Sequence, residues 1–284
     1  MTALEPHDPI AAALAEDLGP GDVTSEFFVE PERAAHAVIV ARQPCVLAGG
    51  EVARETFLRV DPTLAVHVPQ PDGARLHAGD QVLRVQGRAR SVLGAERVAL
   101  NFVQRLSGIA TLTARFVDAV AGTGVRILDT RKTTPGLRVL EKAAVKAGGG
   151  TNHRAGLHDM VLVKDNHLVG LTDIHALRDS IARVRAARPG IRIELEADGL
   201  EQVAAFLTLD DVDFILLDNM TTAQLRQAVA LRAQLGMERV KFEASGGVNL
   251  STVRAIAETG VEAISSGALT HSAIAMDFGL DFLA

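Results

Sequence analysis

From Val125 onward the chain alternates short apolar runs with amphipathic stretches of helix length. The runs are "VRILD", "MVLVKD", "IRIELEA", "VDFILLDN", "VKFEAS" and "VEAISSG". Between them lie stretches such as "LEQVAAFLTL", "TAQLRQAVALRAQLG" and "LSTVRAIAETG". Repeated strand–helix alternation leaves few folds open, because parallel neighbours need crossover connections and these are right-handed. Six such runs predict an open, incomplete α/β barrel of parallel strands, spanning residues 120–270.

The preceding 119 residues have another rhythm. A short helix pattern, "PIAAALAEDL", leads into strand-like segments, "AHAVIVARQPCVLAGG", "LAVHVPQ" and "DGARLHAGDQVLRVQGRA". Residues 91–119 carry apolar spacings of three and four, which predict one long helix or two with a break at Ser107-Gly108. The tail, 271–284, ends "MDFGLDFLA" and is too apolar to be free, so it is expected to pack back on the body.

Each apolar run of the second region ends on polar residues: Asp129, Lys164, Glu196, Asp218, Glu243, and Ser265 with Ser266. Barrel chemistry sits at the C-terminal ends of strands, so a ring of alternating Lys, Asp and Glu there predicts a site rather than merely solvated ends. "ASGGVN" (244–249) and "SSGAL" (265–269) follow the last two runs, where Gly-rich turns can bring backbone N–H groups close to a phosphate. Glu196 and Asp218 supply the hard oxygens that Mg²⁺ prefers. Arg131, Lys132, His153, Arg154 and Lys164 make a cationic wall, in a chain whose formal net charge is -6. The expected ligands are a phosphate-bearing sugar with metal-bound pyrophosphate and a small carboxylic acid.

Composition narrows the alternatives. The chain has neither Trp nor Tyr, and single-stranded nucleic-acid binders need aromatic platforms. A sequence pI near 5.9 also argues against a nucleic-acid surface. A single cysteine, Cys45, excludes an internal disulfide and fits a reducing, cytoplasmic setting. No signal peptide or membrane span is expected.

"LDTRKTTPGLRVLEKAAVKAGGGTNHRAGLHDMVLVKDNH", "AERVALNFVQRLSGIAT", "ILLDNM", "EASGG", "GALTHS" and "EDLGPGDVTS" together resemble the quinolinate phosphoribosyltransferase family over almost the whole chain. The resemblance implies an N-terminal α/β sandwich (1–119) followed by a phosphoribosyltransferase barrel. It also implies transfer from phosphoribosyl pyrophosphate to quinolinate with decarboxylation, in de novo NAD synthesis. Mg²⁺ would accompany the pyrophosphate, no organic cofactor would be needed, and the active sites would be shared in a homodimer or higher oligomer.

Roles follow by motif. Arg97 resembles an arginine that reaches into the neighbouring subunit's site. Thr130, Arg131, His153, Arg154 and Lys164 resemble the quinolinate clamp. Lys132 and Lys164 resemble the catalytic lysines near the pyrophosphate and the substrate carboxylate. Glu196 and Asp218 resemble the ribose and Mg²⁺ carboxylates. Ser245, Gly246, Gly247, Ser266, Gly267, Ala268 and His271 resemble the 5′-phosphate site. Glu194 competes with Glu196, since strand alternation puts both on one face.

Two rival enzymes remain: a same-fold paralogue acting on another acid, and a Schiff-base aldolase barrel using Lys132 or Lys164. Outside the motifs the expectations are plain. Lys142 and Lys146 should be solvated helix residues, and His158 and His167 should hydrogen-bond locally. His7, His36, His67 and His77 should lie at the surface, and Cys45 in the core.

Overall fold

The computed structural model describes residues 8–168 and 174–283. It divides into two compact units. One runs through Ala114 and takes in Thr133–Gly149 and the chain from Leu269; the other holds Arg115–Lys132 and Gly150–Ala268. Residues 133–149, which the sequence reading placed within 120–270, group with the first unit in this division.

The first unit opens with α1 (Pro9–Leu18) and α2 (Val23–Phe28). Asp8 caps α1 by accepting from the Ile10 and Ala11 amides, with Pro9 in the first turn, where its missing N–H costs nothing. An antiparallel sheet follows, built from β1 (Ala34–Ala41), β3 (Ala65–His67), β5 (Gln81–Arg88) and β12 (Phe278–Phe282) in the order β12-β1-β5-β3. A small ladder pairs β2 (Cys45–Val46) with β4 (Arg75–Leu76). Helices α3 (Gly50–Val60) and α4 (Ala89–Ala119) complete this stretch. Ile39, Leu47, Phe57, Leu83 and Leu100 form the core, Cys45 among their neighbours. Burial pushes the Cys45 thiol up to about 11. His36, His67 and His77 are exposed, and His7 lies outside the described residues.

The helix α4 has no break at Ser107-Gly108. The Ser107 hydroxyl is engaged away from its own helix, accepting from the Ala48 amide (3.0 Å) and donating to the Ala48 carbonyl (3.2 Å). Gly108 gives the C-terminal segment room: a Cβ there would lie 2.2 Å from the Ile274 carbonyl oxygen. The apolar tail becomes β12, paired with β1 from Ala37↔Phe282 to Ala41↔Phe278.

Helix α5 (Arg138–Ala147) corrects one expectation. Lys146 is exposed, but Lys142 is buried, as is Glu141 beside it. Glu141 accepts from Arg105 Nη2 (2.8 Å), the Thr134 amide (3.1 Å) and the Thr134 hydroxyl (2.8 Å). Sequence spacing puts residues 142 and 146 on one helical stripe, but it cannot say which turn of that stripe is covered.

The second unit is a six-stranded parallel sheet of β6 (Arg126–Leu128), β7 (Val161–Val163), β8 (Ile193–Ala197), β9 (Phe214–Asp218), β10 (Lys241–Ser245) and β11 (Ala263–Ser265). Its order is β6-β11-β10-β9-β8-β7, so the first strand returns beside the last. Among the described residues no ladder joins β6 to β7, and a single parallel bridge, Leu128↔Thr151, extends beyond β6. This is the open barrel expected from the alternation. Its helices are α6 (Asp165–Leu168), α7 (Ile174–Ala187), α8 (Leu200–Phe206), α9 (Thr222–Gln234) and α10 (Val253–Ala257). The last, α11 (Ala268–His271), begins at the unit boundary.

Candidate active site

The strand β8 is buried along its whole length, and its two glutamates share one face. They separate by partner. Glu196, at the strand's end, pairs through Oε2 with Lys164 Nζ, which follows β7. Glu194, two residues deeper and fully buried, has Oε2 2.9 Å from His153 Nε2. Glu243 of β10 approaches the same nitrogen at 3.3 Å. The competition between Glu194 and Glu196 therefore resolves into two layers, with Glu196 the outer one.

Glu196 stands opposite Leu216 of β9 in the ladder, so Asp218 lies two residues onward on the same face. Asp218 is half-buried and accepts from Asn219 Nδ2 at 2.7 Å. Asn219 adopts a left-handed conformation (φ 52°), and its amide donates to the Ser245 carbonyl (2.9 Å). Two hard carboxylates at neighbouring strand ends form a donor set that suits Mg²⁺.

The cationic segment is held from below. Asp129, fully buried just after β6, accepts from the His153 amide (2.9 Å) and Asn152 Nδ2 (2.5 Å). Thr151 adds backbone bonds to Ile127 and Asp129. Arg154 is 6% exposed and, among the described residues, its guanidinium forms no ion pair. Its pKa is lowered, first by burial and then by the neighbouring charge of Arg131. Arg131 and Thr130 are half-buried, and Lys132 is exposed. The Lys132 amide donates to Thr130 Oγ1 (3.1 Å). His167 accepts the Lys164 amide through Nδ1 (3.0 Å), the local bond expected of it.

His153, Glu194 and Glu243 offer ligand atoms within 4.8 Å of one another, a spacing a metal could use. The tautomer argues otherwise. His153 Nδ1 accepts the Arg154 amide at 2.8 Å, so the ring proton belongs on Nε2, facing the carboxylates. Burial lowers the proton affinity of His153, while hydrogen bonds donated to Glu194 and then Glu243 raise it, to about 10 overall. A doubly protonated ring would set Nδ1–H against the Arg154 N–H, donor against donor. The geometry favours one ring proton, on Nε2, facing the carboxyl of Glu194. That carboxyl is raised to about 7, first by burial and then by the charge of Glu243.

The Gly-rich turns follow β10 and β11. Gly246 (φ 90°) could not be another residue, since a Cβ there would lie 2.1 Å from Asn219 Oδ1. Gly247 is also left-handed (φ 62°). Ser266 is buried, its hydroxyl donating to the Val248 carbonyl (3.2 Å) and its amide to the Leu128 carbonyl (3.1 Å). Ser266 thus ties the two turns together, and its amide is not available to a phosphate. Ser245, Gly267 and Ala268 are half-buried beside them. The remaining two expected residues belong to the first unit: Arg97, exposed on α4, and His271, exposed on α11 with Nδ1 2.8 Å from Ser272 Oγ.

Sequence reasoning placed Asp129 and Glu243 in the ring of strand-end polar residues without a specific function, and it did not single out Asn219.

Comparison with known proteins agrees with this arrangement. Residues 22–107 match the quinolinate phosphoribosyl transferase N-terminal domain, and residues 109–281 match the C-terminal domain of the same family. A nicotinate-nucleotide pyrophosphorylase [carboxylating] of Mycobacterium leprae is 44% identical over 97% of this chain and 96% of its own length. The probable enzyme of that name in Bacillus subtilis is 40% identical over 94% of this chain and 89% of its own. The crystal structure of NadC from Streptococcus pyogenes superposes with a TM-score of 0.88, at 38% identity and full coverage of both chains. The two-domain match, the open barrel and the strand-end carboxylates agree, and the chain belongs to the quinolinate phosphoribosyltransferase family.

Proposed function

We infer that the chain transfers phosphoribose from phosphoribosyl pyrophosphate to the ring nitrogen of quinolinate, releasing pyrophosphate and CO₂ and leaving nicotinate mononucleotide. The observation that carries this reading is the buried, unpaired guanidinium of Arg154 beside Arg131. A buried cation beside a second, half-buried one is held at a cost that an anionic ligand offsets. Quinolinate, with adjacent carboxylates, is such a ligand.

In this reading Arg131, Arg154 and Lys164 hold the two carboxylates, with Thr130 and His153 beside them. Lys132 faces the departing pyrophosphate. Gly246, Gly247 and the Ser266–Ala268 turn receive the 5′-phosphate, and the family resemblance adds His271. Glu196 and Asp218 would hold Mg²⁺, which when bound would neutralise charge developing on the pyrophosphate. Those same carboxylates face a ribose whose C1 becomes cationic as the leaving group departs, and they stabilise that charge. Loss of CO₂ from C2 leaves electron density beside the ribosylated, cationic ring nitrogen, so no organic cofactor is required. Holding two mutually repelling anions in contact is the protein's main contribution. Arg97 belongs, on the resemblance, to the partner subunit's site in a homodimer or larger assembly. Its exposure on α4 supports that reading.

The Schiff-base alternative is disfavoured. Lys164 is engaged by Glu196 as an ammonium, and Lys132 is exposed, whereas imine formation needs a neutral amine. Among the described residues no helix is long and apolar enough to cross a membrane, which is compatible with the cytoplasmic setting we propose. A pyrophosphate-release assay tests the function. Quinolinate should be turned over and nicotinate about a thousandfold less well, because one carboxylate leaves buried cations unmatched. Equal rates would remove the assignment.

A further inference from the structure

The His153–Arg154 peptide is fixed on both sides. The His153 amide donates to Asp129 Oδ1 at 2.9 Å, and the Arg154 amide donates to the ring of His153 at Nδ1, 2.8 Å away. The opposite ring nitrogen, Nε2, meets Glu194 at 2.9 Å and Glu243 at 3.3 Å. Both ring nitrogens therefore have partners inside the protein, and the ring is 9% exposed. The next residue is Arg154, buried and without an ion pair among the described residues.

Two buried carboxylates are a costly way to fill this space. Among the described residues Glu194 Oε1 has no hydrogen-bond partner, so a leucine of similar volume would stabilise the strand better. A residue pair kept at such cost, in contact with the neighbour of a ligand-binding cation, is doing something other than packing.

We propose that Glu194 and Glu243 are positioning residues for quinolinate recognition: they orient the His153 ring through Nε2–H, and the ring, through Nδ1, fixes the amide and hence the guanidinium of Arg154. His153 then acts through Arg154 rather than as a direct ligand in the clamp. The inference rests on the reading of Arg154 as a carboxylate-binding cation.

The test compares Glu194→Leu with Glu194→Gln and Glu243→Leu with Glu243→Gln, in steady-state assays with quinolinate and phosphoribosyl pyrophosphate. The Gln variants keep a carbonyl that accepts Nε2–H and should keep KM for quinolinate within about twofold. The Leu variants should raise it about tenfold or more, the scale of losing one orienting hydrogen bond. They should leave KM for phosphoribosyl pyrophosphate unchanged and the melting temperature no lower. In an Arg154→Ala background the Leu substitutions should add nothing. Both KM values rising together with a fall in melting temperature, or an undiminished effect in that background, overturns the proposal. If the Leu variants do not fold, nitrogen NMR of histidine-labelled wild-type protein decides. One protonated and one bare ring nitrogen, unmoved by quinolinate, supports the proposal; a ring nitrogen that shifts on adding quinolinate overturns it. Failure of wild-type protein to use quinolinate would instead remove the functional reading, independently of these outcomes.

Discussion

Asp61 in the first unit and Glu194 in the second are both buried carboxylates, 4% and 0% exposed, yet their proton affinities move in opposite directions. Asp61 accepts from the Thr63 amide and hydroxyl, the Ser91 hydroxyl and two nitrogens of Arg88. Those bonds, led by the Thr63 hydroxyl and then Ser91, hold it well below the usual carboxylate range. Glu194 has one oxygen on His153, the other without a partner, and Glu243 nearby, so it is pushed up instead. Burial is common to both; the supply of donors differs. A saturated carboxylate is a structural fastening, whereas an unsaturated one next to a buried cation marks a functional-site candidate.

The largest effect that could break this contrast is at Arg154. Arg154→Ala should lower kcat/KM for quinolinate about a thousandfold while the melting curve stays close to wild type, because the cation has no internal partner to abandon. A collapse of stability would make Arg154 as structural as Asp61. Next comes a cation of the first unit. Arg97→Ala and Arg131→Ala should each be inactive alone. Mixed 1:1 after a dissociation step, they should regain about a quarter of wild-type activity, since half of the dimers are hybrids with one intact site each. Tagged subunits that exchange without recovery would leave Arg97 with a role in its own chain only.

At Asp61 the expected loss is in stability. Asp61→Ala should cost about 2–3 kcal/mol by stranding its donors, with activity per folded molecule unchanged, as read by denaturant titration alongside the pyrophosphate assay. The smallest effect is in pH dependence. Asp61 has a depressed folded pKa, so its contribution is present above the unfolded value near 4 and fades as the solution is acidified. Glu194 has a raised one, so its contribution is present below the unfolded value and is lost as pH climbs through about 7. Glu194→Gln should flatten the neutral side of the stability–pH curve, and Asp61→Asn the acid side. The same slope in both variants would show that donor supply does not separate the two.

What the sequence revealed follows the range of the interactions. The open barrel was legible because alternation of strand and helix is a local pattern. The polar residues at the strand ends were legible because each sits at a fixed offset from an apolar run. The roles we propose for Arg97 and His271 rest on motifs alone, since no local pattern distinguishes the two from surface residues. The contacts that escaped notice are distant in sequence: Gly108 under Ile274, Asp129 beneath His153, Glu194 against His153. Lys142 was misjudged for the same reason, since the covering of its helical turn depends on chain that lies elsewhere in the sequence.

The pairing of β1 with β12 carries a consequence for biosynthesis. Arg42, just beyond β1, bonds Asp281 of β12, and the two are 239 residues apart. At about 5–20 residues per second, a ribosome needs on the order of ten to fifty seconds between the two. Through that interval β1 lacks its outer neighbour, and its apolar stretch "AVIVA" presents an unpaired edge while the barrel strands emerge behind it. The first unit, though it begins first, is the one that finishes late, so a nascent chain arrested within the barrel should be the aggregation-prone species. Ribosome-stalled chains ending before Phe278 should bind a hydrophobic-surface probe or a chaperone more strongly than chains stalled far enough downstream for β12 to have left the exit tunnel.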